Sequence, residues 1–269
     1  MPSRPAAPVN RRFTAWACTL ALTCGALVGC GTEAGVPHPV PATTTAAPTR
    51  PVALSGWKLT LPIPGRKGHA AIVDPAAPTP PWLILDPSGG LTLWAPVAGS
   101  TTPNSSHART ELDHLTPFDA ATGRHVLTAS VTVTQLPRAK PEVIIGQIHG
   151  AGVISSVPFV LLHDDRGAIA VVVKHQQSGP DATSVPLLTG VPLGRPIDFT
   201  ISDNGDGSLT FTATADGRTA TASVPVPEAF RRAPVRFQAG AYQQADSTTD
   251  SAGSDDGARV TFHTLTVSP

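Results

Sequence analysis

Cysteine is scarce in this sequence, and all of it lies at one end. The three cysteines are Cys18, Cys24 and Cys30. From residue 31 onward, then, neither a disulfide framework nor a thiolate zinc site is available. Aromatic residues make up 5% of the chain, charged residues 14%, and there is a single tyrosine, Tyr242. The formal net charge is zero, so no global field draws in nucleic acid. No helical periodicity of any length is present; only Glu228 to Arg232 suggests a single turn. There is no His-x3-His pair, and the Asp203-x-Gly205-x-Gly207 run lacks the acceptors and closing Glu of a calcium loop, so no metal site is expected. No G-x-S-x-G elbow singles out a nucleophilic serine. No cofactor motif is found.

What is abundant is glycine and proline, 24 and 29 residues. They punctuate short alternating runs rather than long apolar ones. The exception is the front end. Arg11 and Arg12 precede an apolar run from Phe13 to Leu27, short for a membrane span and right for a signal sequence. It ends in Leu27-Val28-Gly29-Cys30, which resembles a bacterial lipobox, with Cys30 the lipidated residue. Residues 1–29 are therefore expected to be a lipoprotein signal peptide. Residues 30–50, rich in Pro, Thr and Ala, are expected to be a tether that cannot bury enough surface to fold. The protein is expected at a bacterial cell surface through its lipid anchor, or secreted. Losing the leader removes Arg4, Arg11 and Arg12 and no acid, leaving 16 basic side chains against 19 acidic ones. A polyanionic partner would have to be held by locally placed cations.

Residues 51–269 read as many short strands with Gly, Pro and Asp turns. His125 to Gln135 alternates cleanly, with Leu127, Ala129, Val131 and Val133 on one face and hydroxyl residues on the other. Asp164-Asp165-Arg166-Gly167 and Asp203-Asn204-Gly205-Asp206-Gly207 mark hairpins. This pattern predicts an all-β jelly-roll sandwich of two antiparallel sheets. Residues 176–192, with Gly179 and Gly190, are candidate lid material. Trp57, Trp82 and Trp94 are expected in the core.

Three distant stretches each set a polar row against an apolar one. In the first, His107, Arg109 and Glu111 oppose Ala108, Thr110 and Leu112. Around Gln147-Ile148-His149, strict alternation puts Val143, Ile145, Gln147 and His149 on one face and Ile144, Gly146 and Ile148 on the other. In the third, Arg236, Gln238, Tyr242 and Gln244 oppose Phe237, Ala239 and Ala241. Side by side, they would line one sheet face with Arg, Glu, Gln, His and Tyr. Any one of them could be an ordinary solvated face; together they suggest a cleft.

Paired carboxylates suggest glycoside hydrolysis, but the strand Glu111-Leu112-Asp113 has Thr116 where β-glucan hydrolases of the jelly-roll type carry their second Glu. β-Elimination from a uronic acid fits better. Its C5 proton becomes removable once the neighbouring carboxylate is neutralised by a guanidinium with amide or imidazole donors. A neutral His or a Tyr can take that proton, and a Tyr can protonate the departing O4.

Three blocks then carry a resemblance: Arg109-Thr110-Glu111-Leu112, Gln147-Ile148-His149, and Arg236-Phe237-Gln238-Ala239-Gly240-Ala241-Tyr242-Gln243-Gln244. With Trp57-Lys58-Leu59-Thr60-Leu61-Pro62 and Thr102-Pro103-Asn104-Ser105, they stand in the order found in polysaccharide lyase family 7, which this chain resembles from residue 55 to 269. The resemblance implies a jelly roll with a cleft across its concave sheet and a lyase acting on a uronate polysaccharide, most of all alginate. By position, Arg109 and Gln147 would neutralise the carboxylate with His149. His149 would be the base, and Tyr242 the acid and, for the other stereochemistry, also the base. Asn104, His107, Glu111, Gln238, Gln244 and Lys174 are candidate supporting or substrate-binding residues. Asp113 and Gln238 stand where the family usually has Arg and Lys, removing positive charge, and Arg236 stands where it has Tyr; Arg236, Lys174 and Arg124 are candidates to restore the charge. Those departures leave two alternatives open: a lyase for another polyuronate such as glucuronan, or a carbohydrate-binding jelly roll without turnover. A monomer whose partners are an acidic polysaccharide and, through its anchor, a membrane surface is expected.

Overall fold

A computed structural model describes residues 52–246 and 255–269. The signal peptide, the tether and Cys30 lie outside the described residues. Sixteen strands follow in chain order: β1 (Trp57–Pro64), β2 (Ala70–Val73), β3 (Leu83–Leu85), β4 (Leu91–Pro96), β5 (Arg109–His114), β6 (Phe118–Asp119), β7 (His125–Gln135), β8 (Glu142–Gly150), β9 (Pro158–Asp165), β10 (Ala168–Lys174), β11 (Ala182–Leu188), β12 (Pro196–Asp203), β13 (Ser208–Ala215), β14 (Arg218–Pro225), β15 (Pro234–Gln243) and β16 (Gly257–Ser268). The only helical segments among the described residues are three single 3-10 turns, one of them at Glu228–Phe230.

The strands form two antiparallel sheets. One has nine strands in the order β11-β10-β9-β8-β15-β5-β1-β2, with the short β6 also against β15. The other has seven, β14-β13-β12-β7-β16-β4-β3. Neighbours in space are mostly distant in sequence: β15 lies between β8 and β5, and β16 between β7 and β4. This two-layer arrangement is the jelly-roll sandwich that the turn spacing predicts.

Alternation drives the layering. On β7, Leu127, Ala129 and Val131 are completely buried and Val133 nearly so, while Thr128 and Thr134 are exposed. The inner faces of both sheets meet in one core that includes Phe159, Phe199, Phe211, Phe230, Phe237 and Phe262. Burying each such ring contributes roughly 1.5–3 kcal/mol, and with no cysteine in the domain this apolar contact is what joins the layers. Trp57 and Trp94 are buried and Trp82 packs partly against the core, as their expected role requires. Two hairpins turn on paired positive-φ residues, Arg166-Gly167 and Asp216-Gly217, the conformation of the two-residue turns that match strand twist. A Cβ at Gly167 would lie 2.1 Å from the Val191 carbonyl oxygen, so only glycine fits there.

Two sequence expectations need correction. The middle of the candidate lid, residues 176–192, is the edge strand β11, hydrogen-bonded to β10 from Ala182 to Leu188, with Leu188 buried. Residues 176–181 before it and 189–192 after it lie outside the sheet. The second concerns β8, where strict alternation fails. Ile144 pairs with His163 and Gly146 with Leu162, leaving Ile145 as an extra residue, a β-bulge. Val143 and Ile145 therefore stay in the core, Ile144 turns to the outer face, and Gly146 backs onto Phe199. A Cβ at Gly146 would come 3.0 Å from the Phe199 ring. Only beyond the bulge do Gln147 and His149 share the outer face.

Candidate active site

The outer face of the nine-stranded sheet carries a cleft of ≈ 620 Å3. Its floor comes from adjacent strands: Arg109, Glu111 and Asp113 from β5, Gln147 and His149 from β8, and Arg236, Gln238 and Tyr242 from β15. Cross-strand register brings them together. Tyr242 pairs with Arg109, Gln238 with both Asp113 and Gln147, and Arg236 with His149. Thr60 of β1, Leu161 and His163 of β9, and Val172 and Lys174 of β10 extend the floor to either side. The loop holding Thr102, Pro103 and Asn104 forms one rim, and Ser155 and Ser156 form another part.

At the centre is a buried carboxylate. Glu111 has no solvent exposure; Arg109 donates to its Oε2 at 2.9 Å and Gln147 to its Oε1 at 2.5 Å. Burial pushes the Glu111 carboxyl above the ordinary range, against the pull of the Arg109 guanidinium. One acid thus fixes two donors on separate strands. It spends one of the guanidinium's N–H groups and leaves the others for a ligand. The second carboxylate, Asp113, accepts from Gln238, from Thr60 at 3.1 Å, and faces Arg236 at 3.4 Å. Asp113 and Gln238, two of the three departures from the family pattern, are therefore partners of each other, and the third, Arg236, faces the same carboxylate. Among the described residues, Arg109 Nε, Gln147 Oε1, Arg236 Nε and Gln238 Oε1 are buried with no hydrogen-bond partner. Native interiors leave few such atoms, and four of them gather here.

His149 is poised as a neutral imidazole. Its Nδ1 faces the Gly150 carbonyl oxygen at 3.3 Å. A carbonyl only accepts, so Nδ1 carries the hydrogen and Nε2 is left with a lone pair. Burial, with Arg109 and Arg236 close by, pushes its pKa down to about 4. Tyr242 is held from two sides. The Arg109 guanidinium lies over its ring, Cζ 3.5 Å from the centroid, and its hydroxyl meets Ser105 Oγ at 2.9 Å.

Of the other sequence candidates, Asn104 and Gln244 line the cleft, Asn104 on the exposed rim. Gln244 turns its amide back to the Tyr242 and Gln243 carbonyls at 3.1 and 3.2 Å. Lys174 lines the cleft while its Nζ reaches the Gly179 carbonyl. His107 is not among the residues lining the cleft; its ring lies 6.3 Å from that of Tyr242 and its Nδ1 donates to the Ala245 carbonyl at 3.1 Å. Arg124 is exposed and is not part of the cleft wall. Sequence reasoning missed His163, which lines the cleft and is held by Glu142, itself paired with Lys140 at 2.9 Å. His163 lies on the hairpin next to Asp164, and its cleft-facing parity was the available signal. Among the described residues, no group of three or more His, Cys, Asp or Glu is placed to hold a metal ion.

Comparison with known proteins bears on what this cleft is. The family model described as alginate lyase matches residues 52–269. No curated protein matches the chain. Among solved structures, an alginate lyase from Pseudomonas aeruginosa is 26% identical with a TM-score of 0.69, over 80% of this chain and 99% of that one. Alginate lyase A1-II′, described as a member of polysaccharide lyase family 7, is 28% identical with a TM-score of 0.67, over 83% and 98%. A variant of A1-II′ in complex with substrate (GGMG) is 27% identical with a TM-score of 0.67, over 80% and 93%. With its jelly roll and its ordered sequence blocks, this chain belongs to the alginate lyases of polysaccharide lyase family 7.

Proposed function

We propose that this protein cleaves alginate by β-elimination, and that Arg109, Gln147, His149 and Tyr242 carry out the reaction. The observation that carries this reading is their convergence on one cleft floor around the buried Glu111. A uronate carboxylate set over Arg109 and Gln147 would meet N–H groups that Glu111 holds in place. Neutralising that carboxylate lets the electron pair of the C5–H bond delocalise into it. The C5 proton passes to His149 Nε2, or to Tyr242 when proton and leaving group share a side. The pair then forms the C4–C5 double bond as the C4–O4 bond breaks. Tyr242 gives its proton to O4. The products are a new non-reducing end with a double bond and a chain end with a free hydroxyl; no water enters.

The substrate assignment is supported by family membership and by the alginate oligosaccharide held by a variant of A1-II′. A second reading, a lyase for another polyuronate such as glucuronan, is favoured by one feature. Asp113 and Gln238 engage each other, so that part of the floor offers a carboxylate where a polyanion must lie. The reading extends to an exported protein, lipidated at Cys30 and tethered to a membrane by residues 30–50, acting as a monomer without a cofactor; the support for export and lipidation is the sequence of the leader.

The deciding experiment offers the purified protein polymannuronate, polyguluronate and glucuronan and follows the absorbance of the conjugated double bond. Unsaturated ends should appear fastest on one of the alginate blocks. Faster release from glucuronan would transfer the assignment to the second reading, and release from none of them would end the enzyme reading.

A further inference from the structure

The chemistry above asks Tyr242 to give up a proton and, on one path, to begin as a phenolate. The charged oxygen then needs a donor to stabilise it. The rim loop supplies a group for it. Ser105 Oγ lies 2.9 Å from the Tyr242 hydroxyl, 3.0 Å from the His107 carbonyl oxygen and 3.0 Å from the His107 backbone N–H. A serine hydroxyl has one hydrogen and two acceptor sites. The His107 N–H fills one acceptor site whatever the state of the tyrosine, which fixes the oxygen. The single hydrogen then has two possible acceptors, the His107 carbonyl and the Tyr242 oxygen.

We propose that Ser105 is a positioning residue whose hydroxyl switches between these two acceptors as Tyr242 changes charge. While Tyr242 is a phenol, it donates to Ser105 or to O4 of the substrate, and Ser105 donates to the His107 carbonyl. Once the phenol proton has gone to O4, the Ser105 hydroxyl turns by rotation about one bond and donates to the phenolate oxygen. No bond to carbon forms or breaks at Ser105 and no proton is lost from it. A hydrogen bond to a charged acceptor is roughly twice as strong as a neutral one, so the switch favours the charged state. The loop is held for this purpose: the His107 ring donates to the Ala245 carbonyl at 3.1 Å, tying the segment before β5 to the segment after β15, on which Tyr242 stands. The guanidinium of Arg109 across the ring favours the same charge. This inference rests on the reading of Tyr242 as the proton-transferring group.

The sequence provides a direct readout, because Tyr242 is the only tyrosine in the chain. Ultraviolet phenolate absorbance on alkaline titration of the whole protein therefore reports this one side chain, without substrate or turnover. Ser105→Ala should move that titration up by about one pH unit and lower kcat about tenfold with little change in KM. Ser105→Thr, which keeps the oxygen and its hydrogen, should restore both. Thermal unfolding of each variant checks that it is folded. A folded Ser105→Ala protein whose phenolate titrates where the wild type does overturns the proposal, even if its activity has fallen. The underlying reading fails separately, if Tyr242→Phe turns over alginate at the wild-type rate.

Discussion

The two sheets present outer faces that are both polar and behave differently. On the seven-stranded sheet the residues are hydroxyls that pair across strands: Thr212 with Thr221 at 3.1 Å, Thr214 with Thr219 at 2.9 Å, Thr210 with Ser223 at 2.9 Å. These pairs sit at the surface, each hydroxyl bonded to its neighbour across the strands. On the nine-stranded sheet the residues are Arg109, Glu111, Gln147 and Gln238, buried beneath the cleft, linked through two carboxylates, with several polar atoms left without partners. A polar row on a strand is therefore not in itself a site. What separates the faces is the desolvated charge on one of them, which is costly to build and gains its return when a charged ligand arrives.

The sharpest way to break the contrast is at the buried acid. Glu111→Ala leaves the Arg109 guanidinium buried without its carboxylate. The expected cost is about 3–5 kcal/mol of stability, read as a lower denaturation midpoint, and a fall in kcat/KM of roughly a hundredfold or more as Arg109 and Gln147 lose their orientation. An unchanged denaturation midpoint would mean that the pair is not the strut described here.

Acid titration sharpens it next. If His149 is the base, kcat/KM on its preferred block should fall as pH drops through about 4, not through the 6.5 of an ordinary imidazole. The same burial affects stability. Above pH 6.5 the ring is neutral in both states; between 6.5 and about 4 the unfolded chain takes up the proton and the folded one does not, so stability declines as pH falls. Glu142, held down to about 2 by the hydrogen bond from His163, adds a further decline between 4.5 and about 2. Denaturant titrations across this range should show both slopes, and His149→Ala should remove the first.

The smallest effect belongs to the other face. Thr212→Val should change stability by within about 0.5 kcal/mol and leave turnover alone. A loss of activity there would show that the seven-stranded face takes part in function.

Much of this was legible before the fold was known. Strict alternation placed Arg109, Glu111 and Tyr242 correctly, because β5 and β15 pair with each other without a register shift. It failed on β8, since the bulge at Ile145 follows from the different pairing on its two sides, a tertiary matter with no local signature. Strand β11 went unseen because Ala182-Thr183-Ser184-Val185-Pro186 barely alternates. A proline inside a strand is tolerated there because the strand lies at the sheet edge. Ser105 and His107 lie in a loop, and their partners Tyr242 and Ala245 are far along the chain, so no spacing rule could join them. Gln238 and Asp113 each read as a departure when taken alone; only the cross-strand register shows them as a pair.

The most direct test of the central claim is Tyr242→Phe on alginate, with oligosaccharide binding and unsaturated ends measured on the same preparation. The account predicts that binding persists, since Arg109, Gln147 and Glu111 are untouched, while the new double bond fails to form. Unsaturated ends released at near the wild-type rate would contradict it.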